Sequence, residues 1–385
     1  MALLRPRTSA LVVVSAALFT DTLLYYLLVP LLPIYSRDFG FSQMQLGLLF
    51  GSYSAALLLG TLPLGRLGDR FGRRYTMLWG LVGLGGTTLL FAFSRSFWLL
   101  LVARVLQGLS ATATWTSGMA LMADHWPSEH RGKAMSTCFA FANLGVFLGP
   151  PIAGFLAEHF GLRAPFLLAG GLAILDALAR AFLLEDAPKE KGETLEYRAL
   201  LKNGTVRLFA GATALGAGIW ATLESTLPLH FDRVMGWRPS SIGLCFAVAA
   251  LGHTLTSPLA GALADRYGHR GILRIGLVLI LFLAPLPVFF QASWIILGSM
   301  AGLGLATSLV MSPASPAVTD AVERMGSTSY ATVFGLLNLS YAMGMMVGPI
   351  LGSAGVEALG IRSTMLLLGL FFGAYALGVG REVAR

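Results

Sequence analysis

The chain has 385 residues, of which 56% are hydrophobic and only 12% charged, and its 27 Lys and Arg against 19 Asp and Glu leave a formal charge of +8. A water-facing domain carries roughly 25% charged residues, so a mean hydropathy of +0.73 excludes an ordinary soluble surface and makes lipid the main solvent. The basic excess fits loops that orient a membrane chain better than it fits nucleic-acid binding.

Arg5 and Arg7 precede an apolar run over 9–34. It is long enough to cross roughly 30 Å of hydrocarbon and too long for the apolar core of a cleaved leader, so it is read as the first membrane helix. Further runs follow at 43–64, 75–94, 98–123, 133–157 and 164–184, then at 205–231, 240–261, 272–291, 293–318, 329–355 and 361–380. Twelve spans with the N-terminus inside place both termini in the cytoplasm and most Lys and Arg on that side, as the positive-inside rule requires. The polar stretch 185–204 divides the chain into a six-helix half at 1–184 and another at 205–385. It is read as a cytoplasmic linker with a short amphipathic helix around 195–201. Cys138 and Cys245 lie in apolar runs and are read as small hydrophobes, with no disulfide and no metal site.

The halves repeat. Gly65-Arg-Leu-Gly-Asp69-Arg70-Phe-Gly72-Arg73-Arg74 returns as Gly261-Ala-Leu-Ala-Asp265-Arg266-Tyr-Gly268-His269-Arg270. Gly149-Pro150 returns at nearly the same interval as Gly348-Pro349, and Pro33 as Pro228. Parallel six-helix repeats of this kind place a substrate path at the midplane between them. Gly65 and Gly72 are read as points of close turning, and Asp69 as a partner for Arg70, Arg73 or a helix N-terminus.

The fourth span carries Arg104-Val-Leu-Gln107-Gly108. Two placements of Arg104 are open: facing the protein interior, or snorkelling to the outer interface. The fifth carries Gly145-x-x-x-Gly149-Pro150-x-x-x-Gly154, whose small residues permit close helix contact. Among the acids, Asp21, Asp176 and Glu224 alone sit well inside spans. A carboxylate withdrawn from water holds its proton more tightly, and a cationic substrate can replace that proton. Asp21 and Glu224 have no basic residue within a helical turn, so each is read either as a substrate and proton site or as a neutral structural acid. Arg180 follows Asp176 at i+4, which points to a local ion pair.

The glycine-rich loop with its echo resembles the signature of the major facilitator superfamily, and Gly145 to Gly154 resembles the motif of its drug:proton antiporters. The resemblance implies an all-α fold of two pseudo-symmetric six-helix bundles, a cytoplasmic latch at the loop with Asp124 as its charge partner, and alternating access. The runs at 21–33, 96–108, 144–151, 163–184 and 221–231 resemble the vesicular amine transporters and their bacterial relatives. That resemblance implies that Asp21 and Glu224 receive a cationic amine. It also shows departures: acids of that family fall at Met311 and Asn338, its second-span lysine at Tyr53, and an eighth-span aromatic near His253. The lysine–acid ion pair is thus replaced by the neutral Tyr53 and Asn338.

His253 is read as a proton relay or as a packing residue. Tyr25, Tyr26, Tyr53, Trp115, Trp220 and Phe334 could line an aromatic box for a cation, or simply pack helices. The Asn203-Gly-Thr205 sequon falls on the cytoplasmic side. No Gly-x-x-x-x-Gly-Lys phosphate loop is present, and no catalytic constellation, so neither ATP nor any other cofactor is expected, nor is enzymatic activity. The expected function is export of hydrophobic organic cations in exchange for protons across a bacterial inner membrane, with neutral drugs or sugars and a non-transporting receptor as alternatives. The expected partners are a small-molecule substrate, protons and the bilayer, with the chain acting as a monomer.

Overall fold

The computed structural model describes residues 6–183, 200–325 and 330–381. All regular elements among the described residues are helices: α1 Pro6–Tyr26, α2 Leu32–Phe39, α3 Gln43–Phe71, α4 Arg73–Phe93, α5 Phe97–His125, α6 Ser128–Phe160 and α7 Arg163–Leu183. They continue with α8 Gly204–Met235, α9 Pro239–Tyr267, α10 His269–Leu283, α11 Leu286–Phe289, α12 Ser293–Met311, α13 Ala314–Glu323, α14 Tyr330–Leu359 and α15 Ile361–Arg381. Together they supply 12 segments long and apolar enough to cross a membrane. The helix expected at 195–201 lies, but for its last two residues, outside the described residues.

Proline placement decides which spans are continuous. The first span, expected as one helix, is broken into α1 and α2 by a 3-10 turn at Val29–Leu31. Pro30 and Pro33 remove two backbone donors within one turn there, which the helix cannot absorb. The ninth breaks before Pro285 and the tenth at Pro313. Pro228 stands alone, and α8 runs unbroken through it, as membrane helices allow. Its pairing with Pro33 in sequence therefore does not extend to geometry.

Local signals set the helix starts. At α3, Gln45 N donates to Ser42 Oγ (3.2 Å) and Ser42 N donates to Gln45 Oε1 (2.9 Å), closing a capping box. At α8 the Asn203 carboxamide accepts from the N–H groups of Thr205 (2.9 Å) and Val206 (3.3 Å), so the sequon asparagine is a helix cap.

The helices gather into two compact units: Met1–Glu190 with Trp237–Leu244, and Lys191–Gly236 with Cys245–Arg385. In the first, α1 packs on α6 and α4 on α5 and α7; in the second, α8 packs on α14 and α10 on α12 and α15. The same pairings thus recur in each half. The repeat reaches atomic contacts. A Cβ on Gly108 of α5 would collide with the carbonyl oxygen of Tyr53 on α3, and one on Gly304 of α12 with that of Ala249 on α9. Only glycine lets these backbones approach so closely.

The outer surfaces are apolar, with Leu59, Trp79, Phe182, Leu255 and Trp294 exposed, while Asp21, Arg104, Asp176, Arg180 and Glu224 are buried. This inversion is what a lipid solvent demands. The Asp176–Arg180 pair is the ion pair expected from the i+4 spacing. Arg180 Nε donates to Asp176 Oδ1 at 3.1 Å and its Nη2 to Oδ2 at 2.5 Å. The remaining nitrogen donates to Met77 O on α4 (2.8 Å) and Thr114 Oγ1 on α5 (3.2 Å), tying three helices together. Asp176→Asn leaves this guanidinium without its counter-charge and should destabilise the fold by about 3–5 kcal/mol. Thermal unfolding in detergent should show the loss, with partial recovery in the Asp176→Leu/Arg180→Met double variant. An unchanged midpoint in Asp176→Asn would contradict the structural role.

Candidate functional site

In the first unit α1 carries Asp21 into an apolar interior, where the residue is 2% exposed. Its Oδ2 accepts from Trp115 Nε1 on α5 at 2.8 Å and from the Tyr53 hydroxyl on α3 at 3.4 Å. Its Oδ1 is buried and accepts no hydrogen bond among the described residues. One oxygen of the carboxylate is thus held by two uncharged donors, and the other has no hydrogen-bond partner among the described residues.

Tyr53 joins this acid to an aromatic cluster. Its ring lies 4.8 Å from Tyr25, which is 4.9 Å from Tyr26 and 5.6 Å from Phe50. The cluster is a cage, but a cation of the protein occupies it. The Arg104 guanidinium stands 5.2 Å from the Phe50 centroid, 5.3 Å from Tyr25, 5.4 Å from Phe91 and 5.8 Å from Tyr53, within cation–π range of all four. Arg104 is 1% exposed and donates to Gln107 Oε1 at 2.8 Å. It therefore faces the interior and does not snorkel. Of the candidate aromatic box, Tyr25 and Tyr53 surround this internal cation, Trp115 serves Asp21, and Phe334 is exposed on α14.

In the second unit Glu224 lies fully buried on α8. The hydroxyls next to it in sequence turn back on the helix, Thr226 Oγ1 donating to Thr222 O at 2.6 Å and Ser225 Oγ to the same carbonyl at 3.1 Å. A polar seam runs between α9 and α12. His253 Nδ1 is 3.3 Å from Thr307 Oγ1, Thr256 Oγ1 is 2.8 Å from Ser308 Oγ, and Ser257 Oγ is 2.9 Å from Ser312 Oγ. His253 also lies 6.2 Å from the Trp220 ring of α8. Met311 packs against Gly216, while Asn338 is exposed on the face of α14 that carries Phe334 and Tyr341.

The latch residues divide. Gly72 (φ 99°) and Gly268 (φ 89°) make the tight turns that join α3 to α4 and α9 to α10, a region closed to other residues without strain. Gly65 does not turn the chain: it lies inside α3 with open space around it. Arg73 and Asp124 form an ion pair of 2.7 Å in which both side chains are largely buried. Arg70 stacks over Phe71, and Arg266 over Tyr267. Asp265 is exposed, and the side chain of Asp69 lies outside the described residues. In the antiporter-like motif, Cβ atoms on Gly145 and Gly149 would meet Phe19 O and Leu23 O of α1, at 2.6 Å and 3.1 Å, and one on Gly154 would strike the Pro239 carbonyl. Pro150 continues α6 without a break. These residues are packing surfaces in the structure.

Two residues escaped the sequence reading. Asp320 on α13 pairs with His269 at 3.4 Å, the counterpart of Asp124 with Arg73. Its signal was in the sequence, since Asp320 follows Asp124 by the interval that separates Gly261 from Gly65. His230 is buried near the end of α8, and its Nε2 has no hydrogen-bond partner among the described residues. Nothing in composition or repeat marked it.

The sequence model of the Major Facilitator Superfamily matches residues 14–238 and 209–381. The human chromaffin granule amine transporter is 30% identical over 338 residues, which are 86% of this chain and 64% of that protein. The synaptic vesicular amine transporter of Rattus norvegicus is 29% identical over 349 residues, 89% of this chain and 67% of that protein. The chain thus spans about two thirds of the length of these relatives. Among solved structures, a bacterial homologue of the human lysosomal transporter Spinster, inward-facing and occupied, superposes with a TM-score of 0.83 over 98% of this chain and 97% of its own at 18% identity, a likeness of fold. With twelve spans in two repeating sets and both halves matched, the chain is a multi-pass membrane protein and belongs to the major facilitator superfamily.

Proposed function

We propose that this transporter moves hydrophobic organic cations, amines among them, in exchange for protons. The observation that carries the reading is the Asp21 carboxylate, buried inside the first unit with Oδ2 held by Trp115 and Tyr53 and Oδ1 without a hydrogen-bond partner among the described residues. Such a group cannot stay charged and unpaired. It holds a proton, or it holds a cation, and occupancy by one expels the other. The similarity to vesicular amine transporters supports amines as the cation. In this reading Glu224 exchanges protons from the second unit and His253 with its hydroxyl seam hydrates that route. Alternating access then proceeds with the ion pair of Arg73 and Asp124 as a latch. In this reading both termini lie in the cytoplasm, as the basic loops favour, and the protein acts as a monomer in a plasma (inner) membrane and exports its substrate.

Arg104 favours a second reading. A fixed guanidinium already fills the aromatic cage beside Asp21, so the rings have no vacancy for a second cation. Neutral drugs or sugars could then be the cargo, with Asp21 and Glu224 carrying protons only. Uptake of a permanently charged fluorescent cation against a neutral analogue separates the two.

Two substitutions test the leading reading in proteoliposomes with an acidic interior. Asp21→Asn should reduce uptake of a monovalent organic cation at least about a hundredfold, the cost of an unmade charge-assisted contact of roughly 3 kcal/mol, while the protein remains folded. Transport at the wild-type rate by that variant would exclude Asp21 as the cation site. Glu224→Gln should lose accumulation driven by the pH gradient yet retain exchange of labelled for unlabelled substrate. Continued accumulation would assign Glu224 a structural role.

A further inference from the structure

A cavity of about 580 Å³ opens at the α9–α10 turn of the second unit, away from the buried acids. Its polar wall is strongly basic. Arg270 and Arg274 project from the first two turns of α10, and Arg324 follows the end of α13. His269 completes this wall, with Asp320 as the single carboxylate among the described residues that line the cavity. Asp320 is engaged with His269 at 3.4 Å, and Arg270 Nη2 donates to Thr205 Oγ1 at 3.2 Å. The Arg274 and Arg324 side chains form no ion pair among the described residues.

This arrangement works against the helix. Like charges at i and i+4 repel, and cations at a helix N-terminus oppose its dipole. An anion in the cavity would reverse both effects. The lining also holds the apolar or aromatic side chains of Phe209, Tyr267 and Val379. Beyond the basic turn, Ile275, Val278 and Phe282 are exposed along α10 at helical spacing, forming a stripe that faces hydrocarbon. A basic cavity on the same helix as an exposed apolar stripe offers a charged headgroup and its acyl chains one continuous surface, which a soluble ion alone would not use. The first half does not repeat the feature: where the second has Arg274 and Arg324, the repeat interval leads to Leu78 and Ser128. The cavity thus adds Arg274 and Arg324, which the first half lacks, to the repeated signature residues Gly268, His269 and Arg270.

We infer that this cavity binds the phosphate headgroup of an anionic phospholipid, with Arg270, Arg274 and Arg324 around the phosphate and the acyl chains along α10. Basic pockets at helix ends recognise such headgroups through charge, with each Lys or Arg contributing to affinity.

The test uses the purified full-length protein, stripped of lipid in detergent and offered equal amounts of dioleoyl phosphatidylglycerol and dioleoyl phosphatidylcholine. Bound lipid is counted by native mass spectrometry. The wild type should retain the anionic lipid at least about tenfold over the zwitterionic one. The Arg274→Gln/Arg324→Gln double variant, which touches none of the buried acids, should lose most of that preference while keeping the wild-type unfolding midpoint. Should it misfold, Arg274→Lys provides the second measurement: it keeps the charge and should keep the preference. Equal retention of both lipids by the wild type, or an undiminished preference in the double variant, would overturn the site. Complete displacement of the anionic lipid by inorganic phosphate at millimolar concentration would assign the cavity to a soluble anion and overturn the lipid assignment.

Discussion

Water does not reach the hydrocarbon core, so each polar group that the chain carries into it must find a partner within the protein. The buried charges of the first unit solve this in three different ways. Asp176 and Arg180 neutralise one another and then spend the remaining donors on α4 and α5. Arg104 is held by four aromatic faces and one carboxamide. Asp21 is given two neutral donors on one oxygen and none on the other. The first two solutions are closed and serve the fold. The third leaves one oxygen without a hydrogen-bond partner among the described residues, and the proposed exchange of a proton for a cation rests on that oxygen.

The two halves use one scaffold for different polar content. The collisions that only Gly108 and Gly304 avoid, the left-handed turns at Gly72 and Gly268, and the contacts of Asp124 with Arg73 and of Asp320 with His269 all stand at matching positions. On that scaffold the first half places charges and aromatic rings, while the second places one buried acid and a seam of hydroxyls between α9 and α12. Backbone contacts are constrained by packing and persist through a duplication. Side chains that take no part in these backbone contacts are free to differ, and here they do.

Much of this could be read from the amino acids. The twelve spans follow from apolar length, and the i+4 interval of Asp176 and Arg180 foretold their pairing. The three intramembrane acids were visible because charge is costly there and therefore rare. What could not be read depends on neighbours distant in sequence. Nothing local shows that Pro30 and Pro33 break the first span while Pro228 leaves the seventh whole. Tyr25 and Tyr53 could be named as cation-binding rings, but that Arg104 is the cation depends on α1, α3, α4 and α5 meeting at one place. Gly65 illustrates the opposite error: a glycine in a signature invites a turn, yet the turn is made at Gly72 alone.

The central claim is that Asp21 exchanges a proton for a cation at one carboxylate. It implies a linkage with a definite sign. Binding a cation favours the ionised acid, so affinity should rise with pH through the range where the acid titrates and flatten above it. The most direct measurement is the release of protons when a hydrophobic amine is added to the purified protein in weakly buffered detergent, followed with a pH indicator. The account predicts acidification approaching about one proton per cation bound on the acid side of that range, with none above it. Saturable binding of the amine with no proton released at any pH would contradict it.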